Sequence, residues 1–404
     1  MMKKVYFKTL GLMHSSFLDL INYPPEGYQF IMDENLKNDA LARKSELSRY
    51  RWSLERLLPA NLTKAWLESN LRRFPKDANL IYSYNHVIFR RKPWIVQAEF
   101  AHPLIGRGLR HFERFKKLVE RNLASKYCKR ILLLSEFAKK SFALNFNLDD
   151  FKNKMEIVLP SVHKKNFIKT YDKDDINLLF LGSINIPHTF EHKGGKEVLE
   201  AFFRLSKEYD NLKLTIRAKI PEYIKTKYKV AKNPRIRLIE EMLPRKLLEQ
   251  EFVNADIFLF PTHEAHNFVV LDAMSYGLPV ITTEIGSTGR VDDGETGFAV
   301  SKIPPLSCAV ELIQRGYEIY GCVPVKRILS TDTILNRSKC VRTIQVFERE
   351  ITQELIEKAR ILIENPKLRK QMGEKAKWEI EHGKFSIKAR NRKLKGIFDE
   401  ATKD

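Results

Sequence analysis

The sequence predicts an α/β protein built from two doubly wound, Rossmann-like domains with a cleft between them. Three observations lead there. The chain has 404 residues, beyond the roughly 250–300 at which a single core stops growing. Short β-rich apolar runs alternate with amphipathic helical stretches throughout, the pattern of parallel sheets covered by helices on both faces. The alternation falls into two series, separated near residues 164–175 (KKNFIKTYDKDD), a charged stretch without apolar periodicity.

Taken in order, residues 5–7, 80–83, 94–98, 130–134 and 156–159 read as strands of the first domain. Residues 178–181, 213–217, 236–239, 257–260 and 279–283 read as strands of the second, with helices over 195–207 and 244–253 among them. From Glu348 onward the chain reads as helical, with Leu355, Ala359, Leu362 and Ile363 at helical spacing. The expected organisation is one Rossmann-like domain over 1–168 and a second over 169–380. Residues 381–404 form a helix expected to return to the first domain.

The opening MMKKVYFKTLGLMHSSFLDL has Lys8 and Asp19 inside its apolar run, unlike a signal peptide. No stretch approaches the ~18 uninterrupted apolar residues of a membrane span. Cys128, Cys308, Cys322 and Cys340 form no CxxC pair, so neither a zinc site nor a disulfide framework is indicated. Reduced thiols in a cytoplasmic protein are expected. The formal net charge of +21 is uneven: residues 1–170 hold 32 Lys and Arg against 16 Asp and Glu. A basic first half attracts phosphates, nucleic acid or an acidic membrane surface.

The residues that carry chemistry lie in FLFPTHEAHNFVVLDAMSYGLPVITT, residues 258–283. A buried strand stops at Pro261, and a helix is expected from Asn267 to Tyr276, ended by Gly277. The intervening loop sits at the carboxyl end of the strand, the edge where such sheets bind ligands. It holds Glu264, and Asp272 follows eight residues later on the helix. Backbone N–H groups at Asn267 and Phe268 and the helix dipole suit a diphosphate. A carboxylate in the helix can accept from a ribose diol, and one in the loop can meet a sugar. The plain alternative is an exposed loop Glu and a solvated helix Asp.

Glu264–x7–Asp272, within P-T-x-E-x-x-x-F-x-x-L-D-A-M-x-x-G-L-P-V, resembles the signature of retaining glycosyltransferase family 4, the group of glycogen synthase and phosphatidylinositol mannosyltransferase. GETGFAV at 294–300, LLFLGSINIPHTFEHKGGKEVLEAFFRL at 178–205 and ENPKLRKQMGEKAKWEIEHGKFS at 364–386 resemble it too. The resemblance covers about residues 176–300 and 350–400. It implies the GT-B fold, a nucleotide-diphosphate sugar as donor, no cofactor and no metal. Carried over by position, Glu264 would position the donor sugar and Lys193, in HKGG, would meet the diphosphate. Gly182, Ser183, Asn267, Phe268 and Asp272 would complete donor binding. The sequence departs from the family at Asp272, where Glu is usual, at Ser183, where Arg is usual, and at Gly289, where Glu is frequent. Arg217 and His192 are the cations available to replace the one absent at Ser183, and the insertion at 184–191 lengthens the loop before Lys193.

In the first half, KPWIVQAEFAHPLIG (residues 92–106) puts a strand before a loop. Relatives place a His near the end of that strand, so Glu99 and His102 are candidate sugar or acceptor contacts. The alternative is a capping Glu and a surface His. Over 107–130, Leu109, Phe112, Phe115, Val119 and Leu123 recur at helical spacing among Arg107, Arg110, Arg114, Lys116, Lys117 and Arg121. A core stripe with a basic outer face is the first reading. Peripheral contact with the inner face of an anionic membrane is the second. Asp172–Lys173–Asp174 mimics a metal-binding DxD but precedes a strand rather than following one.

The expected function is therefore transfer of a sugar from a nucleotide-diphosphate donor to a glycan or lipid-linked acceptor, with retention and without metal. A same-fold epimerase or phosphorylase is the first alternative. A basic nucleic-acid- or membrane-binding protein with a degenerate donor site is the second. The absence of any nucleic-acid-binding motif counts against nucleic acid as a partner. The segment 302–349 carries no pattern that assigns it a role.

Overall fold

The computed structural model describes residues 2–9, 15–32, 58–71, 74–106, 109–167, 169–171, 174–184, 189–300, 304–314, 318–328 and 337–403. Asp172, Lys173, Arg107 and residues 185–188 of the insertion at 184–191 lie outside these residues, so those readings stay with the sequence. The chain divides into two compact units. The first comprises Met1–Ser161, Tyr320–Ser330 and Ile387–Asp404; the second comprises Val162–Ile319 and Thr331–Ser386. The sequence reading had put 320–330 with the second domain.

The first unit holds strands β1 (Lys3–Thr9), β2 (Tyr28–Ile31), β3 (Leu80–Tyr84), β4 (Trp94–Ala98), β5 (Cys128–Leu133) and β6 (Met155–Ile157). They form one parallel sheet in the order β2-β1-β3-β4-β5-β6. Alternate residues face opposite ways, and both faces are covered. Val5, Phe7, Tyr82, Ile95 and Leu132 pack with Leu394, Ile397 and Phe398 of the C-terminal helix Ile387–Ala401. Tyr6, Ile81, Val96 and Ile131 pack on the other side with Phe112, Val119, Leu123 and Phe142. Arg390 anchors the C-terminal helix by donating to the Tyr23 carbonyl at 2.7 Å. Burial holds its pKa down to about 10.

That packing decides the basic segment at 107–130. Its helix runs Phe112–Ala124, and Phe112, Val119 and Leu123 are fully buried in the core. The apolar stripe is thus occupied by the fold, which leaves an outer face that is mainly charged, with Leu118 the exposed apolar residue on it. No helix among the described residues is long and apolar enough to cross a membrane.

The stretch Tyr320–Ser330 belongs to the first unit through close packing. The Val325 N–H donates to Asn145 Oδ1 at 2.7 Å. A Cβ on Gly321 would lie 2.6 Å from the Phe137 ring.

The second unit holds β7 (Ile176–Leu181), β8 (Leu212–Arg217), β9 (Ile236–Ile239), β10 (Ile257–Phe260), β11 (Val280–Thr283) and β12 (Gly297–Val300). The order is β12-β11-β10-β7-β8-β9, again all parallel. Sequence order reverses between β7 and β10. At such a switch point the loops from the two strands part to opposite faces and leave a crevice at the carboxyl edge.

One expectation is corrected here. Cys308 and Cys340, expected as reduced thiols, form a disulfide with their Cα atoms 5.4 Å apart. It joins the short 3-10 turn Leu306–Cys308 to the helix Arg337–Glu364. A separation of 32 residues has no sequence signature comparable to CxxC. Such bonds persist in oxidising compartments and are rare in the cytosol, so a reducing environment no longer follows from the cysteines. Cys128 stays a thiol in the first unit's core, its pKa pushed up to about 12 by burial.

Candidate functional site

The site is built where β7 and β10 part. β10 ends at Phe260, and the loop from Pro261 leads into the helix Val269–Ser275, with Phe268 at its N-cap. This helix is shorter than the expected 267–276. His266, at φ +55°, turns the chain before it can begin. Gly277, at φ +68°, follows the last turn as the left-handed residue expected there.

From β7 the chain passes Gly182 and Ser183 and returns through the single turn Thr189–His192 to Lys193, Gly194 and the helix Gly195–Leu205. The two loops are fastened together. The His263 N–H donates to the His192 carbonyl at 2.8 Å, and Thr262 Oγ1 to the same oxygen at 3.3 Å. Gly194 makes this approach feasible. It sits at φ +79°, and a Cβ there would lie 2.3 Å from the Pro261 carbonyl oxygen.

The consequence is a contact between residues 71 positions apart: Lys193 Nζ donates to Glu264 Oε2 and also to Asn267 Oδ1. Asn267 Nδ2 donates back to the Glu264 carbonyl at 2.6 Å. His192 Nδ1 stands 4.0 Å from Glu264 Oε1. Lys193 and Glu264 side chains are 18% and 24% exposed, so both reach solvent from a partly desolvated setting. Such a pair offers an ammonium to an anion and a carboxylate to hydroxyl groups.

Buried groups support this pair. His263 lies beside Glu197 of the Gly195–Leu205 helix, Nε2 to Oε1 3.4 Å, both nearly inaccessible. Burial, and then the nearby Arg290 charge, hold the His266 pKa well below the ordinary histidine range, so its ring is neutral. Arg290 is 1% exposed and lies over the Phe268 ring at 5.6 Å. Glu318 brackets the loop: its Oε2 accepts from the Ala265 N–H at 2.8 Å and its own N–H donates to the His263 carbonyl at 2.9 Å.

Of the residues singled out in the sequence, Lys193, Glu264 and Asn267 are in direct contact. Gly182 and Ser183 stand at the end of the adjoining β7. Phe268 and Asp272 lie at the N-cap and first turn of the following helix. Glu99 and His102 belong to the first unit. Glu99 accepts from Tyr84 Oη and from Asn85 Nδ2, the latter at 3.0 Å. His102, a candidate sugar or acceptor contact in the sequence, is buried, which sets aside the alternative of a surface residue: its ring packs 5.6 Å from Phe100 and 4.0 Å from Tyr320. Elsewhere in the first unit, Lys8 and Glu68 form an ion pair at 2.8 Å beside His86. His86 is fully buried and its pKa is pushed down to about 4, chiefly by that burial.

The sequence reading missed His263, His266, Arg290, Glu197 and Glu318. The two histidines flanking Glu264 in THEAHN were a visible signal. Glu318 lies in a segment without periodicity and offered none. Among the described residues no group of three His, Cys, Asp or Glu side chains could hold a metal ion.

Residues 175–314 match the family described as glycosyl transferases group 1. The two parallel six-stranded sheets form the GT-B fold. HepE of Anabaena, solved with UDP, aligns at a TM-score of 0.57 and 13% identity, covering 98% of this chain and 100% of that one. WaaG, a glycosyltransferase involved in lipopolysaccharide biosynthesis, aligns at 0.55 and 14%, covering 98% and 99%. TarM of S. aureus aligns at 0.50 and 12%, covering 83% of this chain. This chain spans only 57% of the TarM chain. No curated protein matches the sequence.

Proposed function

We propose that the protein is a glycosyltransferase that moves a sugar from a nucleoside-diphosphate donor to a glycan or lipid-linked acceptor. The observation that carries this reading is the Lys193–Glu264–Asn267 contact at the switch point of the second sheet. It joins an ammonium suited to a diphosphate with a carboxylate suited to sugar hydroxyls, inside the segment that matches group 1 glycosyl transferases. UDP-sugars are the first donors to test, since HepE was solved with UDP-glucose.

In the donor complex, Lys193 Nζ leaves Glu264 for the diphosphate and the freed carboxylate takes the sugar hydroxyls. Asp272 takes the ribose diol, and the Asn267 and Phe268 amides add donors toward the diphosphate. As the anomeric C–O bond to phosphate breaks, negative charge grows on the leaving oxygen, and Lys193 stabilises that charge more than it does the ground state. The family 4 resemblance supports retention. The acceptor oxygen then bonds the anomeric carbon on the face the phosphate leaves, and its proton passes to a leaving phosphate oxygen.

The test is transfer from labelled UDP-, GDP- and ADP-sugars to a panel of glycan and lipid-linked acceptors, with wild type and Glu264→Ala. The wild type should transfer from one donor class, and the variant, equally folded by circular dichroism, should lose about 100-fold or more. Undiminished transfer by Glu264→Ala would refute the assignment. Donor conversion without any acceptor would identify an epimerase instead.

A further inference from the structure

A second cation stands on the other side of β7 from Lys193. Arg217 ends β8, paired in register with Leu181 of β7. The pairing continues past the strands: the Gly182 N–H donates to the Arg217 carbonyl at 2.8 Å, and the Lys219 N–H to the Ser183 carbonyl at 2.9 Å. The Arg217 guanidinium therefore lies at the carboxyl edge, beside the turn where the chain leaves β7.

Its surroundings are poor in acceptors. Nη1 reaches the Gly182 carbonyl only at 3.4 Å, and Nη2 faces the Met242 sulfur at 3.1 Å, a weak acceptor. Nε is buried without a hydrogen-bond partner. Among the described residues no carboxylate pairs with it, and burial lowers its pKa. Other cations of the same sheet are satisfied: Lys213 pairs with Asp175, and Arg237 with Glu251 at 2.7 Å. A partly desolvated guanidinium without a counter-ion carries an uncompensated cost. At a ligand-binding edge, an anionic ligand is what repays that cost.

We propose that Arg217 is the second diphosphate-binding cation of the donor site. The inference rests on the donor-site reading above. Neighbouring strands lie about 5 Å apart, so an anion over Gly182 and Ser183 meets Lys193 from the β10 side and Arg217 from the β8 side. Gly182 keeps the passage low, since a Cβ there would already lie 2.8 Å from Ala218 Cβ. The planar fork of arginine can grip two oxygens of one phosphate, which an ammonium cannot do. On this arrangement Arg217 supplies the positive charge that Ser183 does not.

The experiment measures binding of UDP, GDP and ADP by calorimetry, and of the corresponding nucleosides by ligand-observed NMR. It uses wild type, Arg217→Met and Arg217→Lys. Arg217→Met should weaken the bound diphosphate about 10- to 100-fold and leave the nucleoside unchanged. Arg217→Lys should fall between the two, and the salt dependence of binding should be shallower in Arg217→Met. The unliganded Arg217→Met protein should melt no lower than wild type, because a half-buried charge without a carboxylate partner has been removed. An unchanged diphosphate affinity overturns the proposal. An equal loss for the nucleoside assigns Arg217 to the base and overturns it too, and a lowered unliganded melting temperature with no nucleotide effect makes it a packing residue. A wild type that binds none of the diphosphates overturns both this inference and the donor-site reading. A wild type that binds while the variants match it overturns this inference alone.

Discussion

Replacing Gly194 by alanine tests how the donor loops are held together. Two costs separate cleanly there. The backbone sits at φ +79°, a left-handed conformation that costs an L-residue about 1–2 kcal/mol. In addition, the new Cβ would lie 2.3 Å from the Pro261 carbonyl oxygen. Restoring an ordinary contact of about 3.4 Å means a displacement of roughly 1 Å. The loop that yields carries Glu264, and a 1 Å misplacement of a reacting group can cost about 100-fold in rate. Gly289 is the internal control, since it has nearly the same φ, +80°, but nothing within 4 Å of an added Cβ. Gly289→Ala should lose only the conformational 1–2 kcal/mol and keep its turnover. Gly194→Ala should lose more stability and about 100-fold in transfer. Urea unfolding followed by tryptophan fluorescence gives the first quantity, and sugar transfer from the donor selected by the panel gives the second. If the two alanine variants prove equally stable and equally active, the loops are not held by the closeness of Gly194 to Pro261.

Three further outcomes follow from the geometry. Cys308→Ser should lower stability by about 3–4 kcal/mol, the loop-closure value for a separation of 32 residues; urea midpoints that coincide with and without reductant in the wild type would refute this. Glu318→Ala removes the acceptor on the Ala265 N–H and should raise the donor KM about tenfold, while Glu318→Gln, which keeps an acceptor oxygen, should recover most of it. Equal kinetics for the Gln and Ala variants would remove Glu318 from positioning the loop. His86 titrates near 4 when folded and near 6.5 when unfolded. The unfolded chain therefore binds the extra proton between those values, and stability falls as pH drops through that window. Between pH 6.5 and 5 the loss should be about 2 kcal/mol, and His86→Gln should remove that part of the slope in urea titrations.

Strands buried on both faces announce themselves, because every position must be apolar. Residues 94–98 and 257–260 read as strands from their apolar runs, and β4 and β10 span the same positions. The two strands left unread, β2 and β12, have four residues each and lie at the edges of their sheets. Tyr28 is the only fully buried position of β2, so its sequence carries no run to detect. The basic segment at 107–130 shows the opposite ambiguity. An apolar stripe at helical spacing looks the same whether it faces a core or a membrane, and only the packing of Phe112, Val119 and Leu123 decides between them.

The meeting of Lys193 and Glu264 has a different origin. Strand–loop–helix order places Glu264 at a ligand-binding edge, and the reversal of strand order brings the loop of Lys193 beside it. What stayed hidden is whatever depends on which polar groups find partners. The sequence offers Arg217 and His192 alike as cations to replace the one absent at Ser183, and nothing in LKLTIRAKI chooses between them or shows that Arg217, unlike Arg237 in RIRLI, lacks a carboxylate partner. The difference is three-dimensional. Arg237 meets Glu251 from a neighbouring helix, whereas Arg217, among the described residues, meets a glycine carbonyl after β7 and a thioether after β9 but no carboxylate. Counting charges therefore underdetermines this site. Ser183 in place of arginine looks like a loss when read along one strand. Read across the sheet, the charge is present one strand over, which is why Arg217 rather than Ser183 is the position at which substitution should change the affinity for a diphosphate.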